Sequence, residues 1–178
     1  TSVINSTIEY YIYRMILKAN MFRMKLIYLF SMAVIMTLVS CNGGNIYTEK
    51  IEIKDDVWTY SDSLKYSFEI KDTAQLYTMQ LNVRHNEEFP FENCYVKIHS
   101  IYPDQTSKND VLSLEFADDS GTWMGEKDGN YLKAPIAIQP IAKFKKAGKY
   151  TMVFYQNSRV DSLKGINSLE LILNKKAS

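Results

Sequence analysis

The stretch LKYSFEI, residues 64–70, decides the fold class of this 178-residue chain. Its apolar and polar side chains alternate, and the apolar set is Leu64, Tyr66, Phe68 and Ile70. Successive side chains of a β-strand point to opposite faces, so this period of two predicts a half-buried strand. The stretch YTMQLNVR, residues 77–84, repeats the pattern after a turn at 71–73 and predicts a second such strand.

Shorter alternating stretches follow along the chain. Strands are predicted at 46–53, 94–98, 111–116 and 149–155, with a last one carrying Leu169, Leu171 and Leu173. Pro135 and Pro140 mark 131–141 as an edge strand or an extended loop. We expect a polar turn at 103–110 and a possible helical turn at 160–166. Short strands separated by turns predict an all-β fold, an antiparallel β-sandwich that is Ig-like or jelly-roll-like.

The stretch KLIYLFSMAVIMTLVSC, residues 25–41, is typical of a bacterial lipoprotein signal peptide. Its apolar run is about 14 residues long, shorter than the roughly 20 that a membrane-spanning helix needs and within the range of a secretory signal. Arg23 and Lys25 precede the run, and Ser40 lies before Cys41. We therefore expect a signal helix and lipidation of Cys41, which would become the first residue of the mature protein.

These observations divide the chain into four parts. Residues 1–20 are interpreted as an over-extended leader, because Met21 or Met24 would begin a conventional signal peptide at 21–40. Residues 41–48 are predicted to form a lipidated tether that includes Asn-Gly-Gly-Asn. Residues 49–178 then form a single β-sandwich domain of ordinary size.

The charge balance bears on one class of partner, nucleic acid. The chain has 21 Lys and Arg against 20 Asp and Glu. Residues 1–40 contain four of the basic residues and one of the acidic ones, which leaves 17 against 19 and a net charge of −2. A domain without a basic excess gives no reason to expect nucleic acid as a partner.

No pattern of catalytic or metal-ligating residues stands out. With Cys41 acylated, Cys94 has no intramolecular partner, and its place in an alternating apolar stretch predicts a core thiol. His85 and His99 are interpreted as two solvated histidines rather than zinc ligands. No nucleophile or phosphate-loop motif is present, so we expect no enzyme activity, no cofactor and no metal.

Aromatic and arginine side chains supply the candidate contact residues. Trp58, Trp123 and Tyr131 lie at predicted loops or strand ends, where they would either contact a sugar or protein, or cap the core. Arg84 and Arg159 are the only arginines after Cys41, and each lies at or beyond the end of a predicted strand. They would either pair with carboxylates in the domain or contact a partner protein.

The order of several short motifs resembles the gliding-motility lipoprotein GldH family. The motifs are Trp58, the strand ending at Arg84, FPFEN at 89–93, GTWMG at 121–125, FKKAGKY at 144–150, Arg159 and LKGI at 163–166. The resemblance implies an outer-membrane lipoprotein that supports gliding motility or associated envelope machinery. It transfers no catalytic residues to this chain.

Two functional hypotheses remain open at this point. The first is a non-enzymatic lipoprotein, held in the membrane by the lipid on Cys41, whose domain contacts envelope proteins of a motility or secretion complex. The second is a glycan-binding envelope lipoprotein that uses exposed Trp and Tyr side chains. No acidic residue follows Cys41 before Glu49, which favours the periplasmic face over the cell surface.

Overall fold

Two antiparallel β-sheets make up the fold in the computed structural model, which describes residues 44–87 and 89–176. A 3-10 turn at Lys54–Asp56 follows the first strand. The strands are β1 Asn45–Glu52, β2 Val57–Thr59, β3 Ser63–Ile70, β4 Tyr77–Asn86, β5 Asn93–Ile101, β6 Ser107–Glu115, β7 Glu126–Asp128, β8 Tyr131–Ala142, β9 Gly148–Gln156, β10 Ser162–Lys164 and β11 Ile166–Lys175.

The strand order identifies the sandwich type. One sheet has the order β1-β11-β4-β8-β7, the other has β3-β9-β5-β6, and β2 pairs with β10 in a small separate ribbon. The described residues form eight strands of eight or more residues. If these are renumbered 1 to 8 in chain order, the two sheets have the strand orders 1-8-3-6 and 2-7-4-5. This is the double Greek key of a jelly roll. The predicted antiparallel sandwich is confirmed, and the order selects the jelly-roll alternative.

The inward faces of the two sheets form the core. All four apolar residues of LKYSFEI are buried on β3, as the alternation predicts. On β11, an interior strand of the other sheet, Leu169, Leu171 and Leu173 are buried as well. The hydroxyl of Tyr66 donates a 2.8 Å hydrogen bond across the sandwich to the backbone carbonyl of Leu169. Buried hydroxyls need such partners, so this bond joins the two sheets without an unsatisfied polar group.

Cys94 and β8 agree with the sequence-based predictions. Cys94 is a free, buried thiol on β5, as expected for a core cysteine. β8 pairs with β4 along its length but with β7 only over residues 131–133, so most of it is a sheet edge. Pro135 lies in this strand because an edge strand can lack a backbone donor on its open side.

Three boundaries differ from the predictions. β1 begins at Asn45 and pairs with β11, so strand structure starts inside the segment assigned to the tether. β6 begins at Ser107, because pairing with β5 holds the polar segment 107–110 in a strand that local propensity does not favour. The segment 160–166 forms β10 and the start of β11 rather than a helical turn.

The signal helix, the leader at 1–20 and the lipidation site Cys41 lie outside the described residues. Within 44–87 and 89–176, no helix has the length and apolar character needed to cross a membrane.

The antiparallel strands place the connecting loops at two ends of the sandwich. The proximal end comprises Gly44 and the segments 71–76, 102–106, 143–147 and 175–176. The distal end comprises the segments 53–62, 87–92, 116–125 and 157–161. The backbone amide of Lys175 donates to the carbonyl of Gly44, so the described chain enters and leaves at the proximal end.

Candidate functional site

A polar cluster lies on the outer face of the five-stranded sheet and is centred on Arg84. The neighbours of Arg84 on β4, Val83 and His85, are buried, and Arg84 itself is partly exposed. Its Nη1 donates a 2.8 Å hydrogen bond to Oδ1 of Asn167, and its Nε lies 2.8 Å from Oδ2 of Asp128. The arginine therefore connects the end of β4 to both β11 and β7.

Tyr131 closes this cluster from the other side. The guanidinium of Arg84 lies over its ring, and the Tyr131 hydroxyl donates to Oδ2 of Asp56 at 2.8 Å. The second carboxylate oxygen of Asp56 accepts from Nδ2 of Asn167, also at 2.8 Å. The hydrogen bond to the Asp56 carboxylate raises the pKa of Tyr131. The phenol thus remains protonated and serves as a donor.

A second row of polar contacts continues along the same face. Nδ2 of Asn82 and Nζ of Lys133 lie 2.7 and 2.9 Å from Oε2 of Glu170. Burial favours the protonated form of Glu170, but the Asn82 and Lys133 interactions outweigh it and lower its pKa. Arg84 is paired with Asp128 and Lys133 with Glu170, while the Asp56 carboxylate is held by two hydrogen bonds. The face is suited to holding strands and loops in place, and two of the predicted contact residues, Arg84 and Tyr131, are engaged with each other there.

His85 lies in an aromatic cluster beneath the distal loops. Its ring is fully buried, with centroids 5.0 Å from those of both Phe116 and Trp123 and 5.8 Å from that of Phe89. Burial lowers its pKa, and Nδ1 lies 2.9 Å from the carbonyl oxygen of Asn86. The prediction of a solvated His85 is wrong, because β4 extends to Asn86 and continues the inward alternation through His85.

The two tryptophans occupy different environments. Trp58 is 1% exposed, and its Nε1 donates to the carbonyl of Asp62 at 3.2 Å. The structure therefore leaves its indole no surface on which a sugar or a partner could stack. Trp123 is half-buried against His85, and its backbone forms an isolated bridge with Ala117.

Arg159 is the most open of the candidate contact residues. It lies in the exposed segment 157–161, and within the described part of the chain no carboxylate forms an ion pair with it. Beside it, the hydroxyl of Tyr60 donates to the carbonyl of Ser158, while the side chain remains 46% exposed. Val160 is exposed too. The distal end therefore presents an arginine together with apolar side chains.

An apolar cleft opens between the two sheets where the edges of β6 and β8 face each other. Its volume is about 450 Å³, and its lining includes Phe68, Met79, Ile98, Ile138, Phe144 and Met152. Lys108 and Asp110, paired at 2.6 Å, also line the cleft. Sequence reasoning missed this cleft because it depends on how two distant strands face each other.

Across the residues that the structure describes, no three His, Cys, Asp or Glu side chains are grouped so that they could hold a metal ion.

Comparison with known proteins identifies similar sequences. The family model described as GldH lipoprotein matches residues 45–171. A gliding motility lipoprotein GldH homolog from Christiangramia forsetii is 22% identical over 145 residues, which cover 81% of this chain and 88% of the relative. The gliding motility lipoprotein GldH of Flavobacterium johnsoniae is 24% identical over 146 residues, covering 78% of this chain and 90% of that protein.

Solved structures show more distant similarity. A family 35 carbohydrate-binding module, Xyl-CBM35 in complex with a glucuronic acid-containing disaccharide, has a TM-score of 0.33 and 13% identity, covering 78% of this chain and 96% of its own. A non-crystalline cellulose-specific module, CBM28, has a TM-score of 0.35 and 9% identity, covering 78% of each chain.

Proposed function

The chain belongs to the GldH lipoprotein family, and we propose that it is a non-enzymatic, lipid-anchored envelope protein that supports gliding motility through contacts with other envelope proteins. The proposed anchor is the lipid on Cys41, in the outer membrane, with the domain on the periplasmic face. The two GldH relatives, each matched over most of its length, support the motility assignment.

The exposed side chains of the distal end carry the proposal of protein contacts. Besides Arg159, this end exposes apolar side chains from four separate loop segments: Tyr60, Phe91, Met124 and Val160. Protein interfaces are enriched in tyrosine, phenylalanine, methionine and arginine relative to the remaining surface. The distal end also lies opposite Gly44, where the chain leads toward Cys41, so an anchored domain would present it away from the membrane.

The arrangement of the other charged groups is consistent with a role that is not catalytic. Arg84 forms an ion pair with Asp128, and both carboxylate oxygens of Asp56 accept hydrogen bonds, one from Tyr131 and one from Asn167. A catalytic acid or base instead needs an accessible proton and a pKa near the working pH. We therefore assign this cluster a structural role that keeps the distal loops in place.

Site-specific photo-crosslinking in intact cells tests the proposal. A photoreactive amino acid at Arg159 is expected to capture an identified component of the motility or secretion machinery. The same group at Val111, an exposed residue in the middle of the edge strand β6, is the control and should not. Gene deletion should abolish surface spreading, and the double variant Tyr60→Ala/Arg159→Glu should reduce it while Val111→Ala does not.

Two results would contradict this function. Equal capture at positions 159 and 111 would contradict the assignment of the distal end as the contact surface. Unchanged spreading after deletion, combined with glycan-array binding that is lost in Trp123→Ala, would instead support the glycan-binding hypothesis.

A further inference from the structure

Charge is divided unequally between the two ends of the sandwich. The four proximal segments contain six basic and two acidic residues: Lys71, Lys143, Lys145, Lys146, Lys175 and Lys176 against Asp72 and Asp104. The distal segments, with Glu88 left out, contain two basic and eight acidic residues: Lys54 and Arg159 against Asp55, Asp56, Asp62, Glu87, Glu92, Asp118, Asp119 and Asp161. The whole domain has a net charge near −2, but the proximal segments have a net charge of +4 and the distal segments a net charge of −6.

The basic loop at 143–147 is held firmly in place. The ring of Phe144 packs 4.8 Å from that of Tyr150 and 5.3 Å from that of Tyr77, measured between centroids. The Tyr150 hydroxyl donates to the backbone carbonyl of Lys146 at 2.8 Å. Lys143 and Lys145, on either side of Phe144, are exposed, and no carboxylate of the described residues pairs with them. Their ammonium groups are thus presented by a loop that is anchored in the core.

Apolar side chains are exposed at the same end. Leu76 follows Lys71 in the same loop and is 38% exposed, while Ile141, just before Lys143, is 54% exposed. Lysines combined with exposed aliphatic side chains are typical of surfaces that lie in the interface of an anionic bilayer.

If Cys41 carries lipid, the short tether would place this end beside a membrane. Only Asn42 and Gly43 separate Cys41 from Gly44, and three residues of extended chain span at most about 11 Å. This upper limit is between one and two Debye lengths, which are about 8 Å each at physiological ionic strength. With lipid on Cys41, the proximal lysines would therefore lie within the electrostatic range of the bilayer surface.

We propose that the proximal end is a membrane-contact surface that binds the anionic phospholipid headgroups of the leaflet in which the anchor is inserted. This inference rests on the lipid anchor of the proposed function, but it does not depend on any protein partner. The opposite charges of the two ends would act together, because any orientation that brought the acidic distal end against the same leaflet would be repelled. The domain would then have one preferred orientation, with Arg159 and Tyr60 facing away from the membrane.

Amine footprinting of the purified, full-length lipidated protein tests this orientation. The protein is reconstituted in vesicles of phosphatidylcholine alone, or of phosphatidylcholine with phosphatidylglycerol, and lysine labelling is measured by mass spectrometry. Labelling of Lys143 and Lys145 is expected to fall about fivefold on the anionic vesicles, in line with the contribution of one lysine at such a surface. Lys54 and Lys164, outside the proximal end, should not change, and about 1 M salt should reverse the protection.

A charge-reversal variant adds a second readout. Lys143→Glu/Lys145→Glu changes two exposed side chains and leaves the Phe144 contacts intact. In this variant, the protection of Lys71 and Lys175 by anionic vesicles should be lost. Lys54→Glu/Lys164→Glu is the matched control with the same change in net charge, and it should retain the protection.

The remaining outcomes would overturn the proposal in distinguishable ways. Protein that floats with both kinds of vesicle but shows equal labelling on each would refute the contact surface and leave the anchor intact. Protection by inorganic phosphate in detergent, to the same extent, would indicate a free-phosphate site instead. Protein that fails to float with either vesicle would refute the anchor itself, and with it this inference.

Discussion

The guanidinium carbon of Arg84 lies 4.1 Å from the ring centroid of Tyr131, although the two residues are 47 positions apart in the chain. This cation–π contact is combined with the Tyr131 hydrogen bond to Asp56 and the Arg84 hydrogen bond to Asn167. Four segments, namely the 3-10 turn and strands β4, β8 and β11, therefore meet around one arginine. Arg84 and Tyr131 are residue types that are common in binding sites, but here they have a mainly structural role.

Replacement of Arg84 tests that role. Arg84→Lys keeps the charge but loses the planar fork that reaches both Asn167 and Asp128. Because Asn167 is buried and would lose its donor, the free energy of unfolding should fall by about 1–2 kcal/mol in urea titrations. Arg159→Lys, at an exposed position, should change it by less than about 0.5 kcal/mol. Equal effects of the two substitutions would contradict the structural role of Arg84.

The buried His85 predicts a pH dependence of stability. Its pKa is lowered in the folded protein, so at pH values below the unfolded pKa of about 6.5 the unfolded chain binds more protons than the folded one. The free energy of unfolding should therefore decrease as the pH falls from 6.5 to 5, by at most about 1.4 kcal/mol per pH unit. Carboxylates with a lowered pKa, such as Glu170, lose their stabilising contribution mainly at lower pH, because the unfolded group takes up its proton around its ordinary pKa of 4.5.

His85→Phe is the control for this effect. It removes the titrating group while keeping an aromatic ring beside Phe116 and Trp123. Unfolding measured at several pH values should then show a flatter curve between pH 6.5 and 5 than the wild-type protein. An unchanged slope would assign the dependence to another group.

Cys94 should be unreactive in the folded protein. Burial raises the pKa of its thiol to about 11, so little thiolate is present at pH 8. A thiol reagent such as 5,5′-dithiobis(2-nitrobenzoate) should label Cys94 only after the domain is unfolded in guanidinium chloride. Rapid labelling under native conditions would show that the strand around Cys94 opens readily.

Adjacent positions of β11 should differ greatly in their sensitivity to truncation. Leu171 is fully buried, so Leu171→Ala should lower the free energy of unfolding by about 2–5 kcal/mol. Ile172 points to the other face and is only partly buried, so Ile172→Ala should cost clearly less. The pair shares a strand and a similar loss of volume, and similar costs would contradict the assigned faces.

A single added methyl group should disturb the hairpin of β7 and β8. Gly125 has a φ of +107°, and a Cβ there would lie 2.3 Å from the carbonyl oxygen of Lys133. Since neither the backbone conformation nor the space suits a side chain, Gly125→Ala should destabilise the domain by more than about 1 kcal/mol. Gly129→Ala is the comparison, because its Cβ would meet no atom within 4 Å. Gly129 shares the positive φ of Gly125 but not the steric clash. Thermal unfolding should therefore show a smaller destabilisation for Gly129→Ala than for Gly125→Ala.

Much of the fold was readable from local patterns. The alternation in LKYSFEI and YTMQLNVR predicted β3 and β4 with the correct inward faces, and the leucines of β11 did the same for the last strand. Pro135 indicated the edge position of β8. These predictions succeed because side-chain alternation is a property of each strand by itself.

Predictions failed where distant pairing decides the structure. The polar start of β6 has poor strand propensity, but β5 supplies its hydrogen-bond partners. The environment of His85 depends on Phe89, Phe116 and Trp123, which come from other segments. Among the contact candidates, Arg84 and Tyr131 could be proposed from composition, but their mutual contact could not.

The sequence by itself determined the fold class, the faces of the main strands, the burial of Cys94 and the resemblance to the GldH family, because each of these depends on residue types at short spacing. Only the tertiary structure decided the jelly-roll order, the closed cluster around Arg84 and the separation of charge between the two ends. These features depend on which distant segments pair when the chain folds. A local sequence pattern does not identify the distant segment that will pair with it.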